Sequence, residues 1–188
     1  MILPLVHYPD PVLRRKGLPV RAFDAKLAKL AKDMLETMEA HEGVGLAAQQ
    51  IGEALQFAVI DVRGCERESG MTVAGQAVDP EEHMPLYLIN ATVSGTKAKE
   101  TGTEGCLSFP GLRCEVSRSR RVTVKTHGLD GKAFEFEATG LLGIAVQHEF
   151  DHLQGKLFID ALPPKERDLI RAELAEFEEQ YAAKKPAC

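Results

Sequence analysis

The chain has 188 residues, 44% hydrophobic and 27% charged, which is the size of one domain with a proper core. That balance excludes a disordered chain, and no apolar run approaches the roughly 20 residues that span a bilayer. A formal net charge of −5 argues against a general nucleic-acid binder, which carries a basic surplus.

The first 16 residues contain Pro4, Pro9 and Pro11 and no basic start followed by an apolar run, so no secretory signal is read and a cytoplasmic chain is expected. Asp24 reads as the N-cap of a helix carrying Leu27, Leu30, Ala31, Met34, Leu35 and Met38 at helical spacing and ending at Gly43. Gln56 to Val62 and Leu86 to Asn90 read as buried strands. Between them, Gly64 to Pro85 is rich in Gly, Glu and small residues without periodicity, and is expected to be an exposed loop. Val122 and Val124 alternate with Arg121, Thr123 and Lys125, and Phe134 and Phe136 alternate with charged neighbours. These runs flank Leu129-Asp130-Gly131, a turn sequence that predicts a hairpin.

A second helix follows Thr139, with Leu141, Leu142, Ile144, Ala145, His148 and His152, and stops near Gly155. A third starts at Pro163-Pro164 and sets Ile170, Leu174, Phe177 and Tyr181 on one face. The expected fold class is α+β: antiparallel sheets packed around a central metal-binding helix, with an N-terminal helix and a C-terminal helix, in one domain spanning 1–188.

The expectation that the central helix binds metal rests on Gln147-His148-Glu149-Phe150-Asp151-His152. Histidines four apart on a helix share a face, so both imidazoles can reach one ion. Glu149 beside them can take a proton from water activated by that ion. The pattern also fits an amphipathic helix with half-buried histidines. However, Leu141 to Val146 are nearly all apolar, which buries the helix, and two buried histidines beside a buried glutamate are costly without an ion.

Two residues compete to be the third ligand. Glu173 lies downstream at a metallopeptidase spacing, among Glu176, Glu178 and Glu179 on what reads as a solvated face. Cys106 lies upstream in Glu104-Gly105-Cys106-Leu107-Ser108-Phe109-Pro110-Gly111, an irregular stretch, and suits a small buried hydrophobe equally well. Cys65, Cys114 and Cys188 acquire no role, and the four cysteines are too few for a disulfide scaffold. Gly43-Val44-Gly45-Leu46-Ala47-Ala48-Gln49-Gln50 allows close backbone approach, or simply stops a helix; without a following lysine it is a poor phosphate cradle.

Together these three segments resemble the motifs of the peptide deformylases: Gly-x-Gly-Leu-Ala-Ala-x-Gln at 43–50, Glu-Gly-Cys-Leu-Ser at 104–108 and Gln-His-Glu-x-Asp-His at 147–152. The similarity runs from His7-Tyr8-Pro9-Asp10 to the C-terminal helix, with no departure at a functional motif position. The Gly64–Pro85 segment is longer than in compact members. The resemblance implies a hydrolase that removes the N-formyl group from the N-terminal formyl-methionine of newly made polypeptides and releases formate. It implies one divalent ion on Cys106, His148 and His152, Fe2+ first, with Zn2+, Ni2+ or Co2+ able to substitute. Ligand type does not separate iron from zinc, whereas a ferrous thiolate site is expected to lose activity in air.

By the same resemblance Glu149 is general base and acid, and the Gln50 side-chain amide and Leu107 backbone N–H steady the oxyanion. Leu141, Ile144 and Ala145, one and two turns before His148, are placed to line a methionine pocket. Val44, Gly45 and Gly105 are candidates for backbone hydrogen bonds to an extended peptide, and Arg113 for a contact further along. Glu104 and Arg118 are candidates for a pair behind the ligands. The expected partners are N-formylmethionyl nascent peptides and, transiently, the ribosome, although the C-terminal helix is mostly acidic before Lys184-Lys185. No membrane and no direct nucleic-acid binding are expected. Two other readings stay open: a zinc endopeptidase using His148, His152 and Glu173, and a non-catalytic module with a closed Cys-His-His site, which leaves Glu149 without a use.

Overall fold

The computed structural model describes residues 1–184. Asp24 opens α1 (Ala25–Ala40) by accepting from the Lys26 and Leu27 amides, and Leu27, Ala31, Met34 and Met38 form its buried face. The Gly43 amide closes the turn by donating to the Met38 carbonyl. Strands β1 (Gly45–Ala47), β2 (Phe57–Ile60), β3 (Ser69–Val73), β4 (Gln76–Val78) and β5 (Leu86–Ile89) follow. Next come β6 (Thr92–Gly95), β7 (Lys99–Cys106), β8 (Phe109–Ser119), β9 (Arg121–His127) and β10 (Ala133–Thr139). Helix α2 (Gly140–Leu153) precedes α3 (Pro164–Leu169) and α4 (Arg171–Lys184), which are separated at Ile170 where one C-terminal helix was expected.

The strands pair antiparallel in three sheets, ordered β1-β2-β5, β4-β3-β10-β9-β6 and β7-β8. Helix α2 lies among them: Leu142, Ala145, Val146 and Leu153 pack with Ala58 and Ile60 of β2, Val122 and Val124 of β9, and Phe136 of β10. Helix α1 covers the outer face of the β1–β2 pair through Met34, Met38, Leu46, Phe57 and Val59. A third cluster joins Phe109, Leu112 and Val116 of β8 to Phe158, and Ile170, Leu174 and Phe177 pack onto it. The architecture is therefore the mixed helix and antiparallel-sheet class expected. No described helix is long and apolar enough to cross a membrane.

The β9–β10 hairpin forms as predicted, with Gly131 at φ +76° in its turn. Gly64 to Pro85 departs from the expectation of a loop. It contains β3 and β4, joined through Ala74 (φ +50°) and Gly75 (φ +80°), and β3 pairs with β10 in the register Thr72↔Glu137. Only Met71 of this hairpin is buried, so the stretch carries too little apolar alternation to read as strand. Pairing with a strand more than 60 positions away makes it one. The long β7–β8 hairpin, with Leu112, Cys114, Val116 and Arg118 facing inward, is likewise absent from the sequence reading. Cys106 is thus the last residue of a strand, where an irregular segment was expected.

The entry to α2 depends on Gly140, whose φ is +61° and where a Cβ would lie 2.3 Å from the Glu68 carbonyl oxygen. That carbonyl accepts from the Leu141 amide at 2.9 Å. Gly140→Ala therefore meets both a strained backbone and a clash, and should lower stability by about 1–3 kcal/mol, read as a lower midpoint in urea or thermal unfolding.

Candidate active site

The buried face of α2 presents His148 and His152, with ring centroids 5.1 Å apart and planes at 66°. Across from them the β7–β8 register shifts between Gly105 and Cys106, a device that re-aims a side chain at a strand end. The Cys106 Sγ stands 3.4 Å from His152 Nε2, and the donor atoms of Cys106, His148 and His152 all lie within 4.8 Å of one another. Bonds of about 2.3 Å to sulfur and about 2.0–2.1 Å to nitrogen, at a tetrahedral angle, would set sulfur and nitrogen roughly 3.6 Å apart. The donor set thus fits a zinc- or iron-sized ion. His152 is fully buried and its Nδ1 has no partner; burial, then the charge of His148, hold it well below the usual histidine range and keep it neutral, as a ligand must be.

His148 is oriented differently. Its Nδ1 is 2.9 Å from Glu104 Oε2, leaving Nε2 for an ion. Arg118 grips the same carboxylate with two bonds, Nε to Oε1 at 2.8 Å and Nη2 to Oε2 at 3.0 Å, and its Nη1 reaches Asp151. Burial alone would raise the Glu104 pKa, but the bonds from His148 and Arg118 outweigh it and hold the carboxyl at about 2. Desolvation likewise pulls His148 down, and its bonds to Cys106 and Glu104 carry it well above its ordinary value. Gln147 pins α2 to the end of β8: its Oε1 accepts from Ser119 N at 2.9 Å and its Nε2 donates to Ser119 O at 3.0 Å.

Glu149, next along α2, is buried, and its Oε2 has no partner among the described residues. It fits because position 45 is glycine: a Cβ there would lie 2.2 Å from Glu149 Oε1. Burial raises its pKa to about 7, with His148 and Arg118 pulling down and Glu104 and Asp151 pushing up. Gln50 sits in the 3-10 turn after β1, where its Oε1 accepts from the Ala47 amide at 2.9 Å. That bond turns Nε2 toward the ligands, 3.4 Å from Cys106 Sγ and 3.4 Å from Ser108 Oγ.

These groups open into a cleft of about 700 Å³ between β1 and β7, each an edge strand of its own sheet. A family model described as polypeptide deformylase matches residues 2–168. A peptide deformylase of Methylacidiphilum infernorum is 57% identical over 174 residues, 93% of this chain and 92% of that protein. The chain belongs to the peptide deformylase family. Among solved structures, a plant peptide deformylase matches with a TM-score of 0.85 at 33% identity, covering 97% of this chain and 92% of that one. The peptide deformylase of Legionella pneumophila matches at 0.78 and 38% identity, covering 99% and 100%. Peptide deformylases are metal-dependent enzymes that remove N-formyl groups from nascent peptides, and Cys106, His148 and His152 are a group able to hold such a metal.

In this deformylase the cleft brings together nearly every residue singled out from the sequence. Val44, Gly45, Gln50, Gly105, Cys106 and Leu107 line one part of it; Arg113, Leu141, Ile144, Ala145, His148 and Glu149 line the rest. His152 lies beneath, fully buried. Glu173 does not join them. It is exposed on α4 and lines an adjoining cavity of about 1060 Å³ with Tyr8, Phe177 and Tyr181, outside the group of converging donor atoms, so the Glu173-ligated peptidase loses its ligand. Cys65 is half-buried and Cys114 buried, neither belongs to the group of converging donor atoms, and Cys188 lies outside the described residues. His41, Glu42, Arg67 and Thr103 also line the cleft and were not anticipated. Glu104 and Arg118 do meet, a contact that 14 residues of sequence separation conceals.

Because Arg118 and Glu104 are both buried, removing one leaves the other an uncompensated charge. Arg118→Ala should lower stability by about 3–5 kcal/mol in urea unfolding. Adding Glu104→Gln to that variant should recover part of the loss.

Proposed function

We propose that Cys106, His148 and His152 hold the divalent ion of this deformylase, ferrous iron in the cell, with Zn2+, Ni2+ or Co2+ able to substitute. The observation that carries this is the convergence of three donor atoms within 4.8 Å beside the unpartnered, buried Glu149 carboxylate oxygen. An ion there supplies Lewis-acid charge that polarises the formyl carbonyl and makes water nucleophilic at neutral pH.

The chain's own residues do the rest. An extended formyl-methionyl peptide lies between the free edges of β1 and β7, using backbone groups of Val44, Gly45 and Gly105. Its methionine side chain enters the apolar part of the cleft at Leu141, Ile144 and Ala145, and Arg113 meets the peptide further along. Glu149 takes a proton at its free oxygen as water adds to the formyl carbon. A carboxyl with a pKa of about 7 is suited to both taking and returning a proton near neutrality. Negative charge gathers on the former carbonyl oxygen, where Gln50 Nε2 and the Leu107 amide donate. When the C–N bond breaks, Glu149 returns the proton to the departing amine, leaving formate and a free methionyl N-terminus. We place this work in the cytoplasm, where nascent chains emerge. The described face of α4 carries Glu173, Glu176, Glu178 and Glu179, which does not favour it as a ribosome-docking surface.

Formate release from formyl-Met-Ala-Ser by protein loaded anaerobically with Fe2+ tests this reading. Cys106→Ser should lose both the ion and the activity. Glu149→Gln should keep the ion and lose about 10²–10⁴-fold in kcat. Gln50→Ala should lose about 10²–10³-fold in kcat, and, because the Ala47 amide loses its buried acceptor, should also lower stability by about 1–3 kcal/mol while leaving the protein folded. Full activity in Glu149→Gln, or ion loss in Glu173→Ala but not in Cys106→Ser, would overturn it.

A further inference from the structure

The segment that precedes β3 is fastened to the start of α2. The Glu68 carbonyl accepts from Leu141 N at 2.9 Å, Ser69 Oγ accepts from Leu142 N at 3.2 Å, and Ser69 bridges Gly140. From this anchored backbone the side chain of Arg67 crosses to β7. A Cβ at Gly102 would lie 2.9 Å from Arg67 Nη2 and 3.2 Å from Nη1, so the guanidinium occupies the space that a side chain at 102 would fill. Gly102 shares a strand face with Glu104, two residues on, whose carboxylate holds His148. Arg67, itself exposed, therefore spans from the Leu141 end of α2 to β7 and lines the same cleft as Leu141 and Ile144. Arg14, Arg63, Arg118 and Arg121 are ion-paired. Arg67 has no hydrogen-bond or ion-pair partner among the described residues.

We propose that Arg67 forms the end wall of the pocket for the first residue's side chain and donates a hydrogen bond to an acceptor atom there. The pocket then selects a side chain ending in sulfur or oxygen over a hydrocarbon of the same length. This inference rests on the reading that Leu141, Ile144 and Ala145 line the methionine pocket. A thioether sulfur is a weak acceptor, a sulfoxide oxygen a strong one, and a methylene none. A wholly apolar pocket would treat methionine and norleucine nearly alike. A guanidinium wall would separate them, and would admit methionine sulfoxide, which an apolar pocket rejects.

The test is kcat/KM for formyl-Met-Ala-Ser, formyl-norleucyl-Ala-Ser and the formyl-methionine-sulfoxide analogue, using metal-loaded wild type, Arg67→Leu and Gly102→Ile. Wild type should favour methionine over norleucine by about two- to threefold, the low end for a hydrogen bond because the thioether is a weak acceptor. In Arg67→Leu that ratio should fall to about one, and the sulfoxide peptide should lose about tenfold or more, while norleucine turnover is kept. Gly102→Ile, which displaces the guanidinium without removing it, should shift the same two ratios in the same direction. Equal selectivity in wild type and Arg67→Leu would overturn the inference and leave the assigned site standing. Failure of the metal-loaded wild type on all three peptides would overturn the site assignment and this inference with it.

Discussion

Helix α2 carries three ionisable side chains into the interior, and burying them sets the terms for everything around it. His148, Glu149 and His152 are all buried, yet each is met differently. His148 receives a carboxylate, which is itself gripped by an arginine, so the chain Asp151–Arg118–Glu104–His148 neutralises charge step by step toward the surface. His152 stays neutral, with its Nε2 against the Cys106 thiol. Glu149 keeps one oxygen unpartnered and a raised pKa. A scaffold that served stability alone would have no reason to leave such a group bare.

Missing side chains matter as much as those present. At Gly45 the absent Cβ leaves room for the Glu149 carboxylate, and at Gly102 it leaves room for the Arg67 guanidinium. Both glycines lie on edge strands, β1 and β7, and residues of both strands line the same cleft. The candidate site is thus a gap between two sheets floored by a helix. Its walls come from three separate stretches of chain, held by Gln50 on Ala47, by Gln147 on Ser119 and by the Glu68 carbonyl on Leu141.

Local signals served well where the chemistry itself is local. The Asp24 cap, the Leu129-Asp130-Gly131 hairpin and the apolar run into His148 each depend on neighbours within a few positions, and each forms as read. The third ligand was different. Spacing left Cys106 and Glu173 both open, and the motif resemblance chose the cysteine; the structure brings that cysteine to the histidines and leaves Glu173 exposed on α4, outside that donor group. The β3–β4 hairpin escaped because Met71 is its only buried residue, so no alternation announces it.

The sequence by itself determined which helix carries the candidate ligands, which carboxylate stands beside them and which family the three motifs resemble. Those properties follow from residue type and from the fixed periodicity of a helix. Only the tertiary structure decided that Glu104 and Arg118 meet behind His148, that β1 and β7 leave their edges free, and that Arg67 reaches the cleft from a segment expected to be a loop. Each of these depends on strands paired across long stretches of chain, and such pairings are set by how whole sheets pack around α2, which no local window contains.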